Sequence, residues 1–168
     1  MPRQKITHVY TFDELSEKAR ARARDWYRTW GIDSDWRESI YDDAERIGLK
    51  ITGCSWDYNH VNATGRLLMS MDTVIDLIRK EHGKDYETTK LAEQFAKQRQ
   101  KLTSEFEHGE EDELRDAMDR LEASFEEHLV EEYAALLQKE YEYLNSDEYI
   151  DEVISTNDYE FSEDGSRV

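Results

Sequence analysis

Apolar positions along this 168-residue chain recur at two periods, and the changes between them mark the elements. Lys5-Ile6-Thr7-His8-Val9-Tyr10 mixes polar and apolar residues in near alternation, predicting a strand with Ile6, Val9 and Tyr10 buried. Thr11-Phe12-Asp13-Glu14 then has capping-box form. Phe12, Leu15, Ala19, Ala23, Trp26 and Trp30 follow at helical spacing as far as Gly31, predicting a first helix with an aromatic inner face. A second helix, capped by Asp33 or Ser34, carries Trp36, Ile40, Ala44 and Ile47 inward, and Gly48 supplies a left-handed stop. On this reading Trp26, Tyr27, Trp30, Trp36 and Tyr41 form a core between the first two helices rather than a base-stacking platform.

From Leu49 to Met71 the period becomes two. Ile51, Cys54, Trp56 and Tyr58 lie in one run and Leu67, Leu68 and Met69 in the next, and the turn formers from Asn59 to Gly65 predict a hairpin with a longish loop. Helical periodicity resumes over about 72–81, stopped by Gly83, and over about 86–107, through Leu91, Phe95, Leu102 and Phe106. A long helix follows through Leu114, Met118, Leu121, Phe125, Leu129, Tyr133, Leu136 and Tyr141, expected antiparallel to its predecessor. A short helix from Ser146 to Asn157 buries Tyr149, Ile150, Val153 and Ile154, and Tyr159 to Phe161 reads as an edge strand. The fold class is therefore α+β: a small antiparallel sheet of the N-terminal strand plus the hairpin, packed with helices, and a long antiparallel helical hairpin toward the C-terminus. One domain is expected, with a strand, helix and hairpin part at 1–83, an acidic helical part at 86–157, and a frayed tail at 162–168.

Charge changes the picture most. The formal net charge is −18, and residues 105–168 hold 23 of the 40 Asp and Glu but four of the 22 Lys and Arg. A field of one sign gathered on one part of the chain steers partners of the opposite sign. The long helix buries an apolar stripe, so its outer face takes Asp112, Asp116, Asp119, Glu122, Glu126, Glu127 and Glu131, with Glu140, Glu142, Asp147, Glu148 and Asp151 beyond. These twelve carboxylates are the candidate partner-binding face, and Tyr143 and Tyr149 beside them are candidate aromatic contacts. A solvated face accounts for the same residues without any partner. Arg20, Arg24 and Arg28 form a basic stripe at four-residue spacing, readable as a phosphate grip, as surface pairs with neighbouring helices, or as the counterpart of the acidic arm in a second copy of the chain.

Catalytic chemistry finds little support. Glu105 and His108 make one E-x-x-H step where a di-metal bundle needs two, and no phosphate loop, nucleophile elbow or zinc-ligand spacing occurs. No catalytic residue, metal or cofactor is expected. Cys54, the single cysteine, excludes an internal disulfide, and without an apolar run near 18 residues the expectation is a cytoplasmic protein that does not engage membranes.

The run Val9-Tyr10-Thr11-Phe12-Asp13-Glu14-Leu15-Ser16-Glu17-Lys18-Ala19-Arg20, with Ala23 to Tyr27, Tyr41 to Ile51, Glu140 to Leu144 and Tyr159 to Gly165, resembles a family of small bacteriophage and prophage proteins, some labelled antitoxin-like. The resemblance carries no catalytic residues. It implies a phage-encoded accessory protein of the host cytoplasm, for which counter-defence is a reasonable role. Joined with the charge, it points to a stoichiometric inhibitor of a host defence or nucleic-acid-binding protein, of the anti-CRISPR or anti-restriction type and a DNA mimic in its narrowest form. Its partner would be a host protein with a basic, nucleic-acid-binding surface; the acidic face itself would not bind nucleic acid. An antitoxin-like or self-associating structural protein, including a homodimer, and a small enzyme are the alternatives.

Overall fold

The computed structural model describes residues 8–57, 60–106 and 111–168. Its helices are α1 (Glu17–Trp30), α2 (Glu38–Arg46), α3 (Met71–Glu81), α4 (Glu87–Glu105), α5 (Glu111–Leu144) and α6 (Asp147–Thr156). Strands β1 (Leu49–Asp57) and β2 (His60–Leu67) pair antiparallel, so the chain is α+β with a small sheet. Two compact units result: Met1–Trp36 with Lys139–Val168, and Arg37–Gln138.

The Arg37–Gln138 unit is built on the hairpin and four helices. Ala44, Ile47, Leu49, Ile51, Val74, Ile78, Phe95, Phe125, Leu129 and Tyr133 are the centre of its core. Gly48, at φ +84°, ends the α2 turn as its sequence position predicts. In β1 the register slips between Ile51 and Gly53, leaving Thr52 as an extra residue. That bulge interrupts the period-two pattern after Leu49 and Ile51, and Cys54 is left half-buried. Asp57 pairs with His60, so the predicted loop is a strand from His60 onward, and Asn62, Ala63 and Thr64 lie opposite Ser55, Cys54 and Gly53. Turn-forming residue types are tolerated there because most of β2 faces outward, with Val61 alone fully buried. Tyr58 and Asn59 lie outside the described residues.

The other unit gathers Phe12, Leu15, Ala19, Ala23, Tyr27, Ile150, Ile154 and Phe161. The first predicted helix is in two pieces. Phe12–Glu14 forms a 3₁₀ turn closed by the Glu14 carboxylate on Thr11 N (2.8 Å), Leu15 is extended, and Ser16 caps α1 by accepting from Ala19 N. Tyr27 is buried and Trp30 is 77% exposed. Spacing identifies the inward face of α1, but Trp30 is its last residue, past the end of the buried stripe. Trp36 tilts against Tyr141, with ring centroids 6.3 Å apart, while Tyr41 packs on the core of Arg37–Gln138. The expected aromatic core between the first two helices is thus replaced by two separate clusters.

Two further expectations change. Residues 5–7 of the predicted first strand lie outside the described residues, His8 and Val9 are not in a strand, and Tyr10 bridges Phe161 rather than the hairpin (N to O 2.8 Å and 2.9 Å). The sheet is therefore two-stranded among the described residues. Residues 162–168 are not frayed: Phe161 also bridges Arg167, Val168 N donates to Glu160 O, and Gly165 is buried against α1. Gly165 sits at φ +84°, and a Cβ on it would stand 2.1 Å from Ala19 O, so only glycine fits. The turn is tied by Asp164, which accepts from Ser166 N and Ser162 Oγ and pairs with Arg22. The Ser166 backbone, the serine hydroxyls and Arg22 together hold the Asp164 carboxyl at about 2. An aspartate depressed below its unfolded value near 3.9 favours the folded turn above about pH 4, and that contribution is lost as pH falls toward 2. Protection factors of the 162–168 amides, measured against their intrinsic exchange rates, should fall across that window and hold steady above it.

Candidate functional site

The acidic face predicted from sequence divides into carboxylates that the fold uses and carboxylates that it leaves in solvent. Glu126 is half-buried on α5 and its Oε2 accepts from Leu67 N at the end of β2 (2.8 Å). One turn earlier Glu122 accepts from Met71 N at the start of α3 (3.5 Å), where a carboxylate also meets the positive end of the helix. Gln138 accepts from Val61 N at 2.7 Å. Glu126 and Gln138 thereby cover backbone donors on the free edge of β2, which needs either cover or charge to resist pairing with another chain.

The contrast between neighbours is testable. Removing the acceptor in Glu126→Ala strands the Leu67 amide and should cost about 1–3 kcal/mol in urea unfolding. Exposed Glu127→Ala should stay within about 0.5 kcal/mol of the parent.

Beyond Gln138 the predicted carboxylates belong to the other unit, and two are neutralised within it. Asp151 takes both Arg24 Nε (2.6 Å) and Arg24 Nη2 (2.7 Å), and Asp147 pairs with Arg28. Arg28 also bonds Asp25 and Asn145 O, and Arg20 donates to Phe12 O and Asp13 O. The guanidinium groups of the basic stripe are therefore engaged within the unit, Arg24 and Arg28 by carboxylates and Arg20 by backbone carbonyls. Glu148 is exposed, Glu140 is half-buried, and Glu142 is exposed with a contact of its own. Tyr143 and Tyr149 stack at a tilt, 4.9 Å apart, with Tyr143 exposed and Tyr149 half-buried against Tyr27's cluster.

What remains on α5 is a row. Asp112 is exposed and pairs with Arg115 on its own helix (2.9 Å). Asp116, Asp119, Glu127 and Glu131 are exposed and have no ion-pair partner among the described residues. From Asp112 to Glu131 the row spans about 28 Å at 1.5 Å per residue.

Sequence reasoning missed a polar cluster in the Arg37–Gln138 unit. Tyr133 donates to Asp43 Oδ2 at 2.8 Å, and His82 Nε2 lies 3.3 Å from the same oxygen without hydrogen-bond alignment. His82 Nδ1 meets Thr88 Oγ1 at 2.7 Å, and Tyr86 stacks on the imidazole. Burial pushes the Asp43 carboxyl up, but Arg46, Tyr133 and His82 outweigh it and the net shift is downward. Burial, then Asp43, pushes the Tyr133 phenol far up, so it stays a donor. An acid, an imidazole and a hydroxyl in line have the makings of nucleophilic chemistry, yet His82 and Thr88 are both buried and present nothing to a substrate. The cluster instead ties α2, the end of α3, the start of α4 and α5. Its only sequence signal was the presence of polar residues on otherwise apolar faces.

No group of three or more His, Cys, Asp or Glu among the described residues is placed to hold a metal. Glu105 pairs with Lys101, and His108 lies outside the described residues. Burial raises the Cys54 thiol, with Arg37 opposing, so the thiolate is not favoured. No described helix is long and apolar enough to cross a membrane. Comparison with protein-family models, with curated proteins and with solved structures finds no match to the chain.

Proposed function

We infer that this protein acts by stoichiometric binding, presenting the exposed face of α5 to a basic, nucleic-acid-binding surface on another protein. The observation that carries this reading is the unpaired row Asp116, Asp119, Glu127 and Glu131, left after the fold has used Glu122 and Glu126. Like charges on one helix face are mildly destabilising, and a neutral surface would serve the fold better. The row is sparser than a nucleic-acid strand, which places a charge about every 3.4 Å. It therefore favours attraction to Lys and Arg side chains over a phosphate-by-phosphate copy of DNA. With the phage resemblance of the N-terminal run, the partner is a host defence or nucleic-acid-handling protein, and the outcome is inhibition by occupancy.

The test is a pull-down from bacterial lysate with the full chain and with Asp116→Lys/Asp119→Lys/Glu127→Lys/Glu131→Lys. The parent should retain a basic nucleic-acid-binding protein at low salt and release it at moderate salt, and the variant should not retain it. Equal retention by both would remove the acidic face from the account.

A further inference from the structure

The unit of Met1–Trp36 with Lys139–Val168 contains a concavity of about 300 Å³ walled by Tyr27, Trp36 and Tyr149 and rimmed by Asp33 and Asp35. Its shape depends on Gly31, another lining residue: a Cβ there would stand 2.3 Å from Tyr27 Cδ2, so the ring can lie against the backbone only at a glycine. The Tyr27 phenol is pushed up by burial first and by Tyr149 and Tyr159 next, and remains a neutral wall. The carboxylates are held in place locally. Asp33 Oδ1 accepts from Asp35 N (3.2 Å), and Ser34 Oγ reaches Asp35 Oδ1 (3.1 Å). Neither aspartate has a Lys or Arg partner among the described residues, whereas Arg24 and Arg28 on α1 are engaged by Asp151 and Asp147.

We propose that this pocket receives a guanidinium or alkylammonium side chain from a basic protein partner. Aromatic rings carry negative faces that attract organic cations, and two carboxylates at the rim add to the attraction while repelling anions. A volume at the low end for ligand pockets suits a side-chain head rather than a cofactor. The source of the cation rests on the proposed basic partner; the chemistry of the pocket rests on its own walls.

The test is NMR titration of the full chain with N-acetyl-arginine methylamide and with a Gly-Gly-Arg-Gly-Gly peptide, against their citrulline counterparts as neutral isosteres. Both cationic probes should give saturable shifts at Gly31 and the Trp36 indole N–H, and the citrulline probes should not. Asp33→Asn/Asp35→Asn, which keeps a side-chain acceptor for the local capping bond, should weaken binding about fivefold or more. Tyr149→Leu should weaken it independently. Equal shifts with citrulline, unchanged affinity in the double asparagine variant, or shifts confined to α5 would overturn the pocket. Binding of the free amide without the peptide would overturn the assignment to a protein side chain. Salt-sensitive retention of a partner with no cation binding here would sink the pocket and leave the α5 reading standing.

Discussion

Phe125→Ala is expected to destabilise the Arg37–Gln138 unit by about 3–5 kcal/mol, a loss comparable with the whole stability of many small domains. Phe125 has no solvent exposure and its ring lies 5.2 Å from that of Phe95 on α4. Leu121 and Leu129, one turn to either side, are buried in the same core, so the space vacated is enclosed and cannot refill with water at low cost. Phe125→Leu, which keeps most of the volume, should cost well under half as much. Urea unfolding followed by far-ultraviolet circular dichroism separates the two. A cost below about 1 kcal/mol for the alanine variant would mean that α5 is not anchored through this face. The consequence for function is direct, because the ring that fixes α5 also fixes which carboxylates it shows to solvent.

Arg24→Ala should destabilise the other unit by about 2–3 kcal/mol, between the value of a charge-assisted hydrogen bond and that of a buried pair broken on one side. The Arg24 side chain is 11% exposed and meets the 33% exposed Asp151 through two bonds, with Glu17 as a second partner. Removing the guanidinium leaves Asp151 partly dehydrated and near Asp147, which then repel. A double-mutant cycle with Asp151→Ala isolates the pair, and its coupling should be about 1 kcal/mol or more. Additive effects would show that Asp151 is an ordinary solvated carboxylate, free for an interface. The predicted coupling places it in the fold instead.

These pairs explain why the site was only half legible. Helix positions read well where caps, glycine stops and buried stripes are local: Ser146 caps α6, and Gly48 takes a positive φ where the pattern ends. Of the acidic residues expected on the outward side of α5, Asp112, Asp116, Asp119, Glu122, Glu127 and Glu131 are exposed, whereas Glu126 and Glu140 are half-buried. Sequence could not say which of them meet a donor, since Glu126 and Glu127 are adjacent and chemically identical, and only the approach of β2 distinguishes them. Arg24 and Asp151 are separated by 127 positions, so although surface pairing of the basic stripe was one reading of the sequence, nothing local named Asp151 as the partner. The hairpin loop was misplaced because residue type outweighed register, and the bulge at Thr52 broke the alternation that would have shown it. Tail order was missed because a glycine buried against Ala19 leaves no periodic signal. The Tyr27, Trp36 and Tyr149 pocket joins residues from both ends of the chain, and no spacing rule connects them.

As proposed, the exposed α5 carboxylates compete for a surface that otherwise holds nucleic acid. The most direct measurement is displacement of labelled duplex DNA from the partner recovered in the pull-down, titrated with this protein at a series of ionic strengths. Stoichiometric displacement that weakens as salt rises, and that is lost with Asp116→Lys/Asp119→Lys/Glu127→Lys/Glu131→Lys, is the predicted result. A ternary complex of DNA, partner and protein, or displacement unaffected by charge reversal, would contradict it.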